Sequence, residues 1–222
     1  MLRPHPKVLV TGFDPFDGAA VNPSWLVARA LHGRQIAGHR IVAAQLPTVF
    51  GQSAQQLAAL LKLHRPSLVL CLGLASGRAA ISLERVAIIV NDARIPDNQG
   101  AQPVDSPVVQ AGPSAYFARM PVKAMLQAVR ATGVPAELSN TAGTFVCNHV
   151  FYALMHLLAT QRGQAHTRGG FIHLPCLTEH APPDAATACM AQDDMVRGLK
   201  AAIRAALEHT GQDVGLAAGT TH

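Results

Sequence analysis

The sequence predicts an α/β fold, a three-layer α/β/α sandwich with a mostly parallel central sheet and helices on both faces. Three observations predict it. Short β-branched runs alternate along the chain with stretches of helical spacing, the pattern of strand–helix–strand units. Hydrophobic residues make up 49% of the 222 and charged residues only 14%, which suits a packed core and not a disordered chain. No composition shift, linker or internal repeat divides the sequence, so residues 1–222 read as one domain, with about 210–222 as a frayed tail.

Each element follows in order. Lys7–Gly12 is the first strand. Asn22-Pro23 then supplies a helix cap and a proline at the first helical position, opening a helix over Pro23–His32. The Asn side chain can accept an orphan amide, and proline has no N–H to leave unpaired. Arg40–Leu46 is the next strand, and Gln52–Leu63 a helix with Leu57, Leu60, Leu61 and Leu63 largely on one side. Ser67–Leu72 and Arg85–Asn91 read as strands. Asp92–Pro121 breaks the alternation: it carries Pro96, Gly100, Pro103, Pro107, Gly112 and Pro113 with little periodicity. Loops longer than ~12–15 residues in compact domains are usually functional or mobile. Pro121–Thr132 is a helix closed by Gly133. The strands Ala136–Ser139 and Gly170–Leu174 flank an apolar helical stretch that begins at Cys147. Val196, Leu199, Ile203 and Leu207 line one stripe of a last helix.

Composition also limits partners. Eighteen Lys+Arg against 13 Asp+Glu give a net charge of +5, but the basic residues are scattered from Arg3 to Arg204 and never form a run of three. Nor do aromatics interleave with them, as single-strand binders require. No apolar stretch approaches the ~20 residues of a membrane span. The apolar run Val8–Val10 is far below the ~7–15 residues of a secretory leader. The expectation is a cytoplasmic protein with no nucleic-acid and no membrane partner. Cys71, Cys147, Cys176 and Cys189 include no C-x-x-C pair. Neither a disulfide framework nor a structural zinc site is expected, and each cysteine is either a small buried hydrophobe or a working thiol. His149 and His156 share a helix face without H-E-x-x-H or a third ligand nearby, so no metal is expected. Gly73–Arg78 lacks G-x-G-x-x-G spacing, although a phosphate could still rest at a helix start.

In open α/β sheets, ligands bind outside the carboxyl ends of the strands. Five exits then matter: Thr11–Gly18, Gly73–Arg78, Asn91–Arg94, Asn140–Thr144 and His173–Pro175. Cys147 follows one of them and opens a helix, so its sulfur lies in a first turn, where unpaired amides and the dipole favour an anion. A free thiol titrates near ~8.5 and a helix N-terminus can lower that. The same amides can hold an oxyanion. Cys71, inside Ser67–Leu72, is most simply core. A thiolate nucleophile needs a base that returns the proton to the leaving amine. His149 is two residues along the helix and faces elsewhere. His173 is better placed if its strand neighbours the one before Cys147, although the same alternation suits a buried, satisfied histidine. The third group should be a carboxylate or amide. Glu84 is one of only four glutamates, and on pattern alone it reads as an ion pair with Arg78 or Arg85.

Longer stretches add a resemblance. Val10–Gly18 (VTGFDPFDG), Asn22–Trp25 (NPSW), Leu46–Phe50 (LPTVF), Glu84–Ala87 (ERVA), Asp92–Asn98 (DARIPDN), Ser139–His149 (SNTAGTFVCNH) and Gly169–Pro175 (GGFIHLP) are together highly specific. With them the chain, from Val8 to about Pro175, resembles the pyroglutamyl-peptidase I (pyrrolidone-carboxylate peptidase) family of cysteine peptidases. The resemblance implies thiolate acyl transfer that removes an N-terminal pyroglutamyl group from peptides, with no metal and no cofactor. It places the catalytic triad on Cys147, His173 and Glu84, against the ion-pair reading of Glu84. It makes Arg94 an oxyanion donor and builds the lactam pocket from Phe13, Phe16, Phe145 and Val146, with Ile95 nearby. The turn departs from the family's G-x-A-G-G-R at Ser76, and Leu74 stands where some relatives have a polar residue, a change that a backbone contact to substrate would survive. A homo-oligomer, dimer or tetramer, is also implied, with Asp97–Pro113 as a candidate contact. The alternative is a non-catalytic α/β module that binds an acidic or phosphorylated small ligand at the strand ends.

Overall fold

The computed structural model describes residues 5–164, 166–181 and 189–219. Two-residue alternation builds its main sheet. Along β1 (Lys7–Phe13), Val8 and Val10 enter one core while Leu9 and Phe13 enter another, as side chains on a strand point to opposite faces in turn. β4 (Leu68–Leu74) repeats this, with Leu68, Leu70 and Leu72 on one side and Val69 and Cys71 on the other. β11 (Arg168–Leu174) sends Ile172 and Leu174 to the first core and Phe171 to the second. With β2 (Gln35–Ile36), β3 (His39–Leu46), β5 (Ile81–Glu84) and β10 (Ala136–Ser139), the order is β10-β5-β11-β4-β1-β3-β2.

Helices cover both faces. α1 (Pro23–Leu31), α3 (Val122–Arg130) and α5 (Gln192–Glu208) bury Val27, Leu31, Met125, Val129, Leu199 and Ile203 in the first core. α2 (Gln52–His64) and α4 (Val146–Thr160) bury Leu57, Leu61, Val150, Phe151 and Leu154 in the second. This is the expected three-layer sandwich. The α1 cap forms as read: Asn22 Oδ1 accepts the Ser24 amide at 3.1 Å and its hydroxyl at 2.8 Å. Gly12 lets α1 approach, since a Cβ there would lie 2.4 Å from the Ser24 carbonyl carbon.

The expected strand Arg85–Asn91 is corrected. The sheet strand is β5, which precedes it, and Glu84 closes β5 instead of opening the next run. After Glu84 the chain leaves the sheet. β6 (Val86–Ile88) pairs antiparallel with β9 (Ala115–Phe117), and β7 (Val90–Asn91) with β8 (Ser106–Pro107). The irregular 92–121 segment therefore returns on itself as two short ribbons. β5 lies parallel to β10 but antiparallel to β11, with His173 opposite Ser82. Ser82 and Glu84 alternate with Ile81 and Leu83, and that mixed composition hid the strand from a search for β-branched runs.

Two further differences concern the C-terminal part. Against the cysteine expectation, Cys176 and Cys189 form a disulfide. A parallel bridge between Leu177 and Met190, with the Met190 amide on the Cys176 carbonyl at 2.8 Å, brings together two positions whose spacing signals nothing. Residues 210–219, expected as a loose tail, run back over the sandwich. The Asp213 carboxylate caps α3 through the amides of Lys123 and Ala124 at 2.9 and 3.0 Å, and Leu216 and Ala218 pack on the first core.

Candidate active site

The site grows from β11, β5 and the start of α4. His173 is the penultimate residue of β11 and lies on the same face as Phe171, whose ring packs against it at 4.9 Å. Its Nδ1 donates to Glu84 Oε1 at 2.8 Å. Because β5 runs antiparallel beside β11, the Glu84 side chain reaches diagonally back to His173 from two positions beyond Ser82. Glu84 is fully buried and His173 is 4% exposed. The Nδ1–H bond to a carboxylate fixes the tautomer and leaves Nε2 to exchange protons.

Cys147 is the second residue of α4. Its cap, Phe145, makes no side-chain hydrogen bond, so the first-turn amides stay open. Its sulfur lies over Gly73, the strand partner of His173 on β4. A Cβ at Gly73 would stand 2.8 Å from that sulfur and 2.8 Å from Phe171 Cζ. Adjacent strands are ~4.8 Å apart, which puts the sulfur one strand from the imidazole. The sequence marked Gly73 only as a turn glycine; its function is to leave room for the thiol.

The electrostatics of the thiol differ from the expectation of a depressed pKa. Burial foremost, and then the Glu84 carboxylate, push Cys147 up to about 12, while Arg78 pulls the other way. Burial and the Glu84 carboxylate both favour the protonated form of this thiol. Cys71, in the core as read, is likewise pushed up to about 12 by burial.

Beside Cys147 is a narrow slot. It is walled by Phe13, Phe16, Leu74, Phe145 and Val146, and Asn22 and Thr48 supply polar edges. The structure thus brings together the expected pocket residues, except that half-buried Ile95 does not line the slot. Asn22 and Thr48 were missed as site residues. Asn22 read as a helix cap, and Thr48 stood unweighted inside a matched motif. Both are held by Asp14: its carbonyl accepts from Asn22 Nδ2 at 2.9 Å and from Thr48 Oγ1 at 3.2 Å. Phe145 is packed between Phe16 and Phe50, with centroids at 6.1 and 5.4 Å, and Phe50 rests edge-on against His149.

Both ring nitrogens of His149 are engaged within the fold. Its Nε2 accepts the Gly51 amide at 3.1 Å and its Nδ1 donates to Asn91 Oδ1 at 3.0 Å. Burial lowers its pKa to about 4, so it backs the slot wall as a neutral ring. Arg94 sits on the loop after β7, exposed, with its guanidinium unbonded among the described residues. The loop itself is anchored near the slot: Asp97 accepts the Phe50 amide at 2.9 Å, and Asn98 donates to Asp14 Oδ1 and the Pro15 carbonyl at 3.2 and 2.9 Å.

Comparison with known proteins gives the family. Residues 6–209 match the family model described as pyroglutamyl peptidase. Pyrrolidone-carboxylate peptidase 1 of Ralstonia nicotianae is 52% identical over 217 residues, covering 98% of this chain and 100% of that protein. The pyrrolidone-carboxylate peptidase of Bacillus cytotoxicus is 47% identical over 215 residues, covering 97% and 99%. Among solved structures, pyroglutamyl peptidase I from Bacillus amyloliquefaciens superposes with TM-score 0.91 at 43% identity, covering 96% of this chain and 100% of that one. Pyrrolidone carboxyl peptidase from Thermococcus litoralis also gives TM-score 0.91, at 31% identity and 96% and 99% coverage.

Proposed function

This chain belongs to the pyroglutamyl peptidase family, and from that premise we propose that it removes N-terminal pyroglutamate from peptides by acyl transfer through Cys147. The observation that carries the residue roles is the Glu84–His173 pair one strand from a thiol at the open end of α4, beside a phenylalanine-walled slot. The alternative of a non-catalytic ligand-binding module has no support from the family or its named relatives.

The slot suits the ligand. A pyroglutamyl ring carries no charged amine, so apolar walls and a few polar groups are enough to hold it. Its lactam N–H and C=O would meet the polar edge near Asn22 and Thr48, and a prolyl ring, lacking the second carbonyl, would forgo part of that contact.

His173 Nε2 takes the Cys147 proton, and the sulfur attacks the pyroglutamyl carbonyl to form the C–S bond. The open amides of α4 hold the oxyanion, and Arg94, folding inward from the rim, is the second donor. His173 gives its proton to the departing amine as the C–N bond breaks. It then draws a proton from water, which cleaves the thioester and returns the thiol. Glu84 holds the imidazole in the correct tautomer throughout.

The same proposal includes a cytoplasmic location and self-association as a dimer or tetramer. Val104, an exposed apolar side chain at 69% within Asp97–Pro113, supports that contact face, and Phe117, 70% exposed, lies just beyond it.

A pyroglutamyl arylamide and a prolyl arylamide test the reading. The wild type should cleave the first and not the second, and Cys147→Ser should lower turnover by about 10³-fold or more. Equal rates for the two enzymes, or no cleavage by the wild type, would contradict it.

A further inference from the structure

We propose that Arg78 is a positioning residue of the reaction, one guanidinium that sets the Glu84–His173 pair against the loop delivering Cys147. The inference rests on the acyl-transfer reading above and deepens it.

Arg78 lies in the turn after β4. Its Nη1 donates to Glu84 Oε1 at 2.6 Å and its Nη2 to the Thr141 carbonyl at 3.0 Å. Glu84 Oε1 therefore receives both Arg78 and His173 Nδ1, while Oε2, also buried, has no hydrogen-bond partner among the described residues. An arginine that merely neutralised this carboxylate would clamp both oxygens, the favoured fork-on-fork pairing. Here the second arm is spent on the backbone between β10 and α4. The pair is a bridge, not a clamp.

That bridge has a consequence for the nucleophile. The loop from Asn140 to Phe145 is held at its far end by Thr144, whose carbonyl accepts the Asp92 amide at 2.9 Å and whose hydroxyl donates to the Asp92 carbonyl at 2.7 Å. At its near end, Thr141 is held by Arg78 and by the Ser139 hydroxyl at 3.0 Å. Cys147 follows directly, so the arm on Thr141 and the arm on Glu84 together fix where the sulfur stands relative to the imidazole. The guanidinium also opposes the Glu84 carboxylate in its effect on the thiol.

Arg78→Met and Arg78→Lys test the inference, with kcat and KM on a pyroglutamyl arylamide and the pH dependence of Cys147 alkylation by iodoacetamide. For Arg78→Met, kcat should fall by about 10²-fold, the cost of an ångström of misplacement, with KM little changed. The alkylation profile should move to higher pH, slowing the reaction about tenfold at a fixed pH below its midpoint. Arg78→Lys should recover the alkylation profile but not kcat, because one ammonium cannot span Glu84 and Thr141 together. Wild-type kcat in Arg78→Met, or full recovery of kcat by lysine, would overturn the bridge. Should Arg78→Met not fold, the lysine variant decides between these outcomes. A wild type that is alkylated normally but cleaves no pyroglutamyl substrate would defeat the acyl-transfer reading alone, and the alkylation shift would still test Arg78.

Discussion

The room for the sulfur comes from the hydrogen atom at position 73. Any Cβ there would meet Cys147 Sγ and Phe171 Cζ, both at 2.8 Å, and Phe171 cannot give way because Phe13 and Phe151 pack around it at 6.4 and 5.9 Å. Gly73→Ala should therefore cost about 1–3 kcal/mol by overpacking and lower kcat/KM at least tenfold by displacing the thiol. Urea midpoints and arylamide kinetics check both, and wild-type values in each would show that the sulfur has other places to go. The glutamate at position 84 carries a different lesson. Its local pattern offered an ion pair with Arg78 or a triad partner, as though these excluded each other. One oxygen does both. No sequence pattern distinguishes the two, because the bond to His173 depends on a strand pairing between residues far apart in the chain.

Among elements, α4 carries the site and is read well from sequence: an apolar run, a cysteine in its first turn, and a Gly-containing loop before it. What the pattern could not show was the fixed role of His149. Its neutral ring joins α4 to the start of α2 and to β7, and it backs the Phe50–Phe145 wall. Its pKa falls from an ordinary 6.5 to about 4 on folding. Between those values the unfolded chain binds the proton and the folded chain does not, so stability is lost as pH falls through the window, by roughly 3 kcal/mol at most. Above 6.5 and below 4 the residue adds no slope. His149→Gln, which can still accept from Gly51 and donate to Asn91, should narrow the gap between urea midpoints measured at about pH 7 and about pH 4.5. An unchanged gap would assign the acid sensitivity to other groups. β5 is the element that periodicity missed, and it carries the carboxylate that holds His173. Its buried Ser82 and Glu84 break the apolar pattern because each has polar partners, Ser82 the Glu137 carboxylate and Glu84 both Arg78 and His173.

For the molecule as a whole, the alternating strands and helices specified the layers, and the long matched motifs named the residues that meet. The direction of β5 and β10 lay outside both, since antiparallel entry beside β11 is a matter of chain path. The Cys176–Cys189 bond was equally hidden, a pairing set by the bridge between Leu177 and Met190 and not by spacing. Disulfides are rare in reducing compartments, so the bond bears on the cytoplasmic proposal. Its convergence is what the function requires: β4 gives space, β5 the carboxylate, β11 the imidazole, α4 the thiol and open amides. The central claim is that a covalent bond forms on one sulfur. Rapid quenching of the wild type with a pyroglutamyl arylamide, followed by mass spectrometry of its peptides, reads this directly. The account predicts a pyroglutamyl group on the peptide containing Cys147, and its absence in His173→Ala, which can neither take the thiol's proton nor protonate the leaving amine. Efficient turnover with Cys147 unmodified at every quench time, and with Cys147→Ser still active, would contradict it.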